Sequence, residues 1–224
     1  MRCSQLRFRS FPVTPIHRYA DTIVKRLLIH ICCAPDATVG IERLSQDWET
    51  EGLFSNSNIH SPEEYKKRLK ALETLANEMG FTFADDSYEP DVWLESVRGL
   101  EEEPEKGLRC EICIRERLRA TARVAKDKGF DAFAAVLTVS PHKDAGMINR
   151  LGAEAGEEFD VEYLPTDLKK QDGFKRSVQM TKQYGIYRQD YCGCEYSRSR
   201  KTSSSASTGT RNKVQGTKKE SNSK

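Results

Sequence analysis

No stretch of this 224-residue chain approaches the roughly 20 consecutive apolar residues needed to cross a bilayer. The first twenty-five residues also lack a continuous apolar segment ending in a small-residue cleavage site. Membrane-spanning and secreted classes are therefore excluded, and a cytoplasmic location is expected. An organellar transit peptide is disfavoured too, because Pro12, Pro15 and Asp21 interrupt the Arg-bearing N-terminus and leave no amphipathic period. No internal repeat is present.

Net charge is nearly absent at +2, but it is unevenly spread. Residues 1–26 carry six Lys/Arg and one Asp, and residues 198–224 carry eight Lys/Arg and one Glu, which leaves residues 27–197 at −10. A basic tail on an acidic body attracts nucleic acid non-specifically through counterion release. The tail is poor in apolar residues and rich in Ser, Lys and Thr, so it reads first as a solvated, disordered segment. The expected organisation is a basic N-terminal extension over 1–26, a single domain over 27–197 and a disordered basic tail over 198–224.

The run "KRLLIHICC" reads as a buried strand, too short for a helix and ending at two thiols. "APDATVGIERLSQDW" then carries apolar residues near helical spacing, with Pro35 and Asp36 where a helix begins. Strands follow over 48–56, 81–88, 130–140 and 159–165, and helices over 63–80, 90–100, 110–129, 141–158 and 169–185. This alternation predicts an α/β fold, a Rossmann-like three-layer sandwich with a mainly parallel sheet. Ligands in such sheets bind beyond the carboxyl ends of strands. Cys32 and Cys33 stand at one such end, and Ser140 to Lys143 at another.

Seven cysteines are present: Cys3 alone, then Cys32 with Cys33, Cys110 with Cys113, and Cys192 with Cys194. Clustered thiols without a secretory signal argue for metal or redox chemistry rather than a disulfide framework. Cys3 reads as an uninvolved surface thiol. Cys110 and Cys113 have the two-residue spacing that turns both sulfurs to one side of a helix. A closed four-cysteine zinc site would leave two of the six paired thiols without a role. Zinc knuckles usually join two CxxC pairs, whereas this chain has a vicinal pair and a CxC pair. Asp36 follows Cys33 by three residues, where its carboxylate suits a harder metal or proton transfer, and equally an ordinary helix cap.

"LIHICCAPD", "NIHSPEEYKKRL", "KGLRCEICIRERL", "TVSPHK" and "YGIYRQDYCGCEYS" together resemble the cobalamin-independent epoxyqueuosine reductases, over about Leu28 to Ser197. The resemblance implies an oxidoreductase that removes the epoxide oxygen of epoxyqueuosine in tRNA to give queuosine. It implies a 4Fe-4S cluster held by Cys32, Cys33, Cys110 and Cys113. Cys192 and Cys194 would form a redox-active disulfide pair or bind a second, mononuclear iron, with Asp36 belonging to that second site. tRNA is the implied substrate. An electron donor is required as well, and no residue pattern identifies it or an oligomeric state. Gly193 permits the tight backbone that a CxC pair needs.

Two further readings compete. A zinc-stabilised RNA-binding module would need no catalysis. A tRNA sulfur-transfer enzyme would need a phosphate loop, yet Cys-Cys-Ala-Pro-Asp occupies the position after the first strand where nucleotide-activating enzymes place Gly and Ser. His142 and Lys143 suit proton donation or a phosphate contact, or else a solvated helix start. Arg115, Arg117 and Arg119 read as a solvated helix face, His30 as a core histidine and His60 as a turn residue. Tyr187 and Tyr191 suit base stacking, or packing under the last loop.

Overall fold

The computed structural model describes residues 7–9 and 24–197. The expected disordered tail over 198–224, Cys3 and most of the N-terminal extension lie outside the described residues. Strands β1 (Arg7–Arg9), β2 (Arg26–His30), β3 (Glu49–Phe54), β4 (Thr82–Asp85), β5 (Ala132–Ala135) and β6 (Glu162–Tyr163) form one sheet in the order β1-β4-β3-β2-β5-β6. The five strands from β2 to β6 run parallel. β1 pairs antiparallel with β4 and adds an edge that periodicity did not assign to any element.

The apolar run of β2 puts it at the centre, where both faces must be covered. Leu27, Ile29 and Ile31 point to one face, against Ala37 and Ile41 of α1 (Ala34–Leu44) and Leu72 and Leu75 of α2 (Pro62–Met79). Leu28 and Phe133 point to the other, against Leu118 of α4 (Leu108–Asp127) and Leu151 of α5 (Ala145–Phe159). Two-residue alternation in the strands thus feeds two helical layers. The short α3 (Pro90–Ser96) follows β4, and α6 (Gly173–Gln183) packs on α1.

Helix boundaries follow local chemistry. α2 starts with Pro62 after Ser61 and stops at Gly80, which adopts the left-handed conformation at φ 68°. α5 begins later than expected because Asp144 caps it, its side chain accepting from Met147 N at 3.2 Å. The strand expected over 130–140 ends at Ala135, and Val136–Val139 form a 3-10 turn instead. Buried Thr138 explains the change: its hydroxyl meets the Thr166 hydroxyl at 2.7 Å and accepts from Leu168 N at 3.3 Å.

From β2 the chain proceeds to β3 and β4 on one side, and β5 and β6 lie on the other. The order therefore reverses between β2 and β5, which is where such sheets open a crevice. The carboxyl end of β2 leads to Cys32 and Cys33, and that of β5 leads to Lys143.

Candidate metal centre

The first thiol group grows from the β2–α1 turn. Cys33 is the extended residue before α1, and Pro35 starts the helix without needing a hydrogen bond. Asp36 in the first turn thereby comes back beside the sulfurs. Cys32 Sγ lies 3.8 Å from Cys33 Sγ and 3.6 Å from Asp36 Oδ2. One ligand atom from each of these residues falls within 4.8 Å of the other two.

A second group surrounds a neighbouring cavity. Cys110 and Cys113 lie one turn apart at the start of α4, and Cys192 and Cys194 come from the loop after α6. Cys192 Sγ and Cys194 Sγ are 3.6 Å apart as free thiols, and Cys192 Sγ is 3.2 Å from Ser197 Oγ. The loop is tied across the sheet: Gly193 O accepts from His60 N at 2.8 Å. Arg68 of α2, only 2 % exposed, donates to the carbonyls of Cys192 and Tyr191, while its Nε donates to Glu64 at 2.7 Å. Glu64 in turn accepts from Tyr187 Oη at 3.1 Å.

Electrostatics link the two groups. Arg117 and Lys143 line the same cavity as the second set of thiols. Burial opposes the charge of Arg117, yet Cys113, Cys32, Cys192 and Cys110 together hold its pKa above the ordinary value. Lys143 is likewise raised against burial, by Cys192, Cys110 and Cys113. The Cys194 thiol and the Lys143 charge push Cys192 well down despite burial, and Cys194 moves up because its neighbour takes the negative charge. Burial raises Cys113, while Trp93 beside it favours the thiolate. Burial lifts Asp36 to about 6, against the pull of Arg188, the two thiols and Lys143.

All six paired thiols and Asp36 gather at the crevice, in two adjacent groups that both meet the charge of Arg117. Cys110 and Cys113 share a cavity with Cys192 and Cys194, whereas Cys32 and Cys33 group with Asp36. The solvated-face reading fails for Arg117, which lines the cavity. Arg115 and Arg119 instead join α4 to α5 through Glu154 and Glu158. His142 is exposed and Lys143 half-buried. His30 is fully buried, with Nε2 3.2 Å from Ser55 O. Tyr187 and Tyr191 pack with Lys67 and Arg68, so they serve the loop. Sequence reasoning missed Arg68, Glu64, Arg109, Trp93 and Asn58. Only Arg109 carried a signal, as a cation directly before the CxxC pair.

A family model described as "Epoxyqueuosine reductase QueH" matches residues 27–200. The chain belongs to this family. It is 42 % identical over 182 residues to "Epoxyqueuosine reductase QueH" of Streptococcus pyogenes serotype M1, covering 79 % of this chain and 71 % of that protein. The Staphylococcus epidermidis family member is 39 % identical over 179 residues, covering 76 % and 75 % respectively. Among solved structures, the U34-tRNA thiolase NcsA from Methanococcus maripaludis with its [4Fe-4S] cluster aligns at a TM-score of 0.49 with 15 % identity, covering 80 % of this chain and 64 % of that one.

Proposed function

We propose that this chain is a cytoplasmic epoxyqueuosine reductase acting on tRNA, with Cys110, Cys113, Cys192 and Cys194 as ligands of a 4Fe-4S cluster and Cys32, Cys33 and Asp36 as ligands of a second metal ion. The observation that carries the ligand assignment is the sorting of six thiols into a four-thiol cavity and a two-thiol, one-carboxylate group beside it. The donor sets fit such groups: four thiols suit a soft iron–sulfur centre, and the added carboxylate suits a harder ion. Free thiols throughout the described residues suit a reducing compartment. No helix among the described residues is long and apolar enough to cross a membrane.

Removing an epoxide oxygen to leave an alkene breaks two C–O bonds, takes up two electrons and two protons, and releases water. When bound, the iron–sulfur centre would supply electrons singly and the second metal ion would polarise the epoxide oxygen. The chain provides the charge balance and the protons. The Asp36 carboxyl, raised by burial, would release its proton to solvent when a cation binds beside the two thiols, because a positive charge reverses the burial effect and favours the carboxylate. Lys143 lines the thiol cavity, where Cys192, Cys110 and Cys113 hold it protonated against burial, and its ammonium balances their charge and can hand a proton to departing oxygen. Exposed His142 next to it, in the loop between the 3-10 turn and α5, is placed for a tRNA phosphate.

Iron and acid-labile sulfide in anaerobically prepared protein test the assignment. Cys110→Ala should lose iron and sulfide together, whereas Cys33→Ala should keep its sulfide and lose only additional iron. Full iron and sulfide in Cys110→Ala would remove that residue from the cluster. Equal sulfide loss in Cys33→Ala would return Cys33 to the cluster.

A further inference from the structure

The residues lining the four-thiol cavity include buried polar atoms that meet no partner in strict hydrogen-bond geometry among the described residues, and one of them, the Trp93 indole N–H, already faces the Cys113 sulfur and favours its thiolate. They are Arg109 Nε and Nη2, Trp93 Nε1 and Asn58 Oδ1. Three of the four are donors, and both donor side chains are enclosed, Arg109 at 1 % exposure and Trp93 at 7 %. Arg109 is not loose. Its Nη1 donates to the carbonyls of Leu100 and Glu101, each at 2.8 Å, and its guanidinium carbon lies 4.9 Å from the centre of the Tyr196 ring. These contacts fix one edge of the guanidinium and leave the other edge unpartnered.

A buried donor without an acceptor costs folding free energy, so native structures seldom keep one without a use. The two open Arg109 donors call for an anionic acceptor, and Trp93, already turned to the Cys113 sulfur, shows which atoms of the cavity can serve as one. The cavity's own chemistry supplies that class of acceptor, since thiolate ligands around a metal carry negative charge on sulfur. Reduction adds one more negative charge, and donors aimed at sulfur stabilise the reduced form more than the oxidised one.

We propose that Arg109 and Trp93 are hydrogen-bond donors to the sulfur atoms of the metal–thiolate group held in this cavity, and that they raise its reduction potential. The inference rests on the cluster assignment above and adds the residues that set the cluster's redox poise. Neither residue is a ligand. Each acts through the sulfur it contacts.

The test is a redox titration of anaerobic protein followed by absorption and electron paramagnetic resonance, with iron and acid-labile sulfide measured on the same samples. Trp93→Phe keeps an aromatic ring and deletes the N–H. It should hold wild-type iron and sulfide yet be about tenfold harder to reduce, a fall of about 59 mV for a one-electron couple. Arg109→Met should move the potential the same way, and Arg109→Lys should recover part of the shift. If Arg109→Met does not fold, Trp93→Phe decides alone. Loaded variants with an unchanged potential overturn this inference and leave the cluster assignment standing. Loss of iron and sulfide from Trp93→Phe also overturns it, since the residue would then act on assembly. Wild-type protein without acid-labile sulfide overturns both.

Discussion

Arg68 Nη1 donates to the carbonyl oxygen of Cys192 at 3.0 Å, joining α2 to the loop that carries the last two thiols. The guanidinium is 2 % exposed and its partner Glu64 12 %, so the pair is held out of water. Removing one member strands the other and frees two loop carbonyls. Arg68→Met should therefore destabilise the metal-free protein by about 3–5 kcal/mol in urea titration. A change within experimental error of zero would show that the loop is held by other contacts.

Gly193 lies against the same guanidinium. Its φ of +117° is unfavourable for any residue with a side chain, and an added Cβ would come within 2.9 Å of Arg68 Nη1 and 3.1 Å of Ile59 Cγ1. Gly193→Ala should cost about 1–3 kcal/mol. Part of that cost is the collision with Arg68, so the substitution should cost less in an Arg68→Met background. A double-mutant cycle measures the difference.

His30 gives the metal-free fold a defined acid limb. Burial, reinforced by the charge of Arg117, lowers its pKa to about 3. Below the ordinary value of about 6.5 the unfolded chain takes up a proton that the folded chain refuses. Stability is complete above that pH and is lost as pH falls toward 3, by about 5 kcal/mol in total. Urea titrations between pH 7 and pH 4 should show this slope in the wild type. They should show a shallower one in His30→Gln.

Cys192 should be the more reactive member of its pair. Its thiolate is favoured by the Cys194 thiol and by Lys143, while Cys194 is pushed the other way. In reduced, metal-free protein, brief iodoacetamide treatment read by mass spectrometry should label Cys192 several-fold ahead of Cys194. Lys143→Met should narrow that ratio. Preferential labelling of Cys194 would reverse the assignment of the charge.

Much of the sheet was legible because its signals are local. The unbroken apolar run of β2 marks a strand covered on both faces, and Ser61, Pro62 and Gly80 mark the ends of α2. The strand end at Ala135 was not legible, because it depends on Thr138 meeting Thr166, 28 residues further along. For the same reason Arg117 looked like one of three solvated arginines. Spacing within α4 gives no sign that loops from β5 and α6 close over that one side chain.

By itself the sequence determined which residues could do the chemistry, three thiol pairs and an aspartate in short motifs, and that a parallel sheet would carry them to a common rim. Only the tertiary structure decided their partnership. Cys110 and Cys192 stand 82 positions apart and share a cavity because Arg68 and the His60 amide draw the last loop back across the sheet. The position of that return is set by buried hydrogen bonds between distant segments, and no periodicity within a segment encodes it.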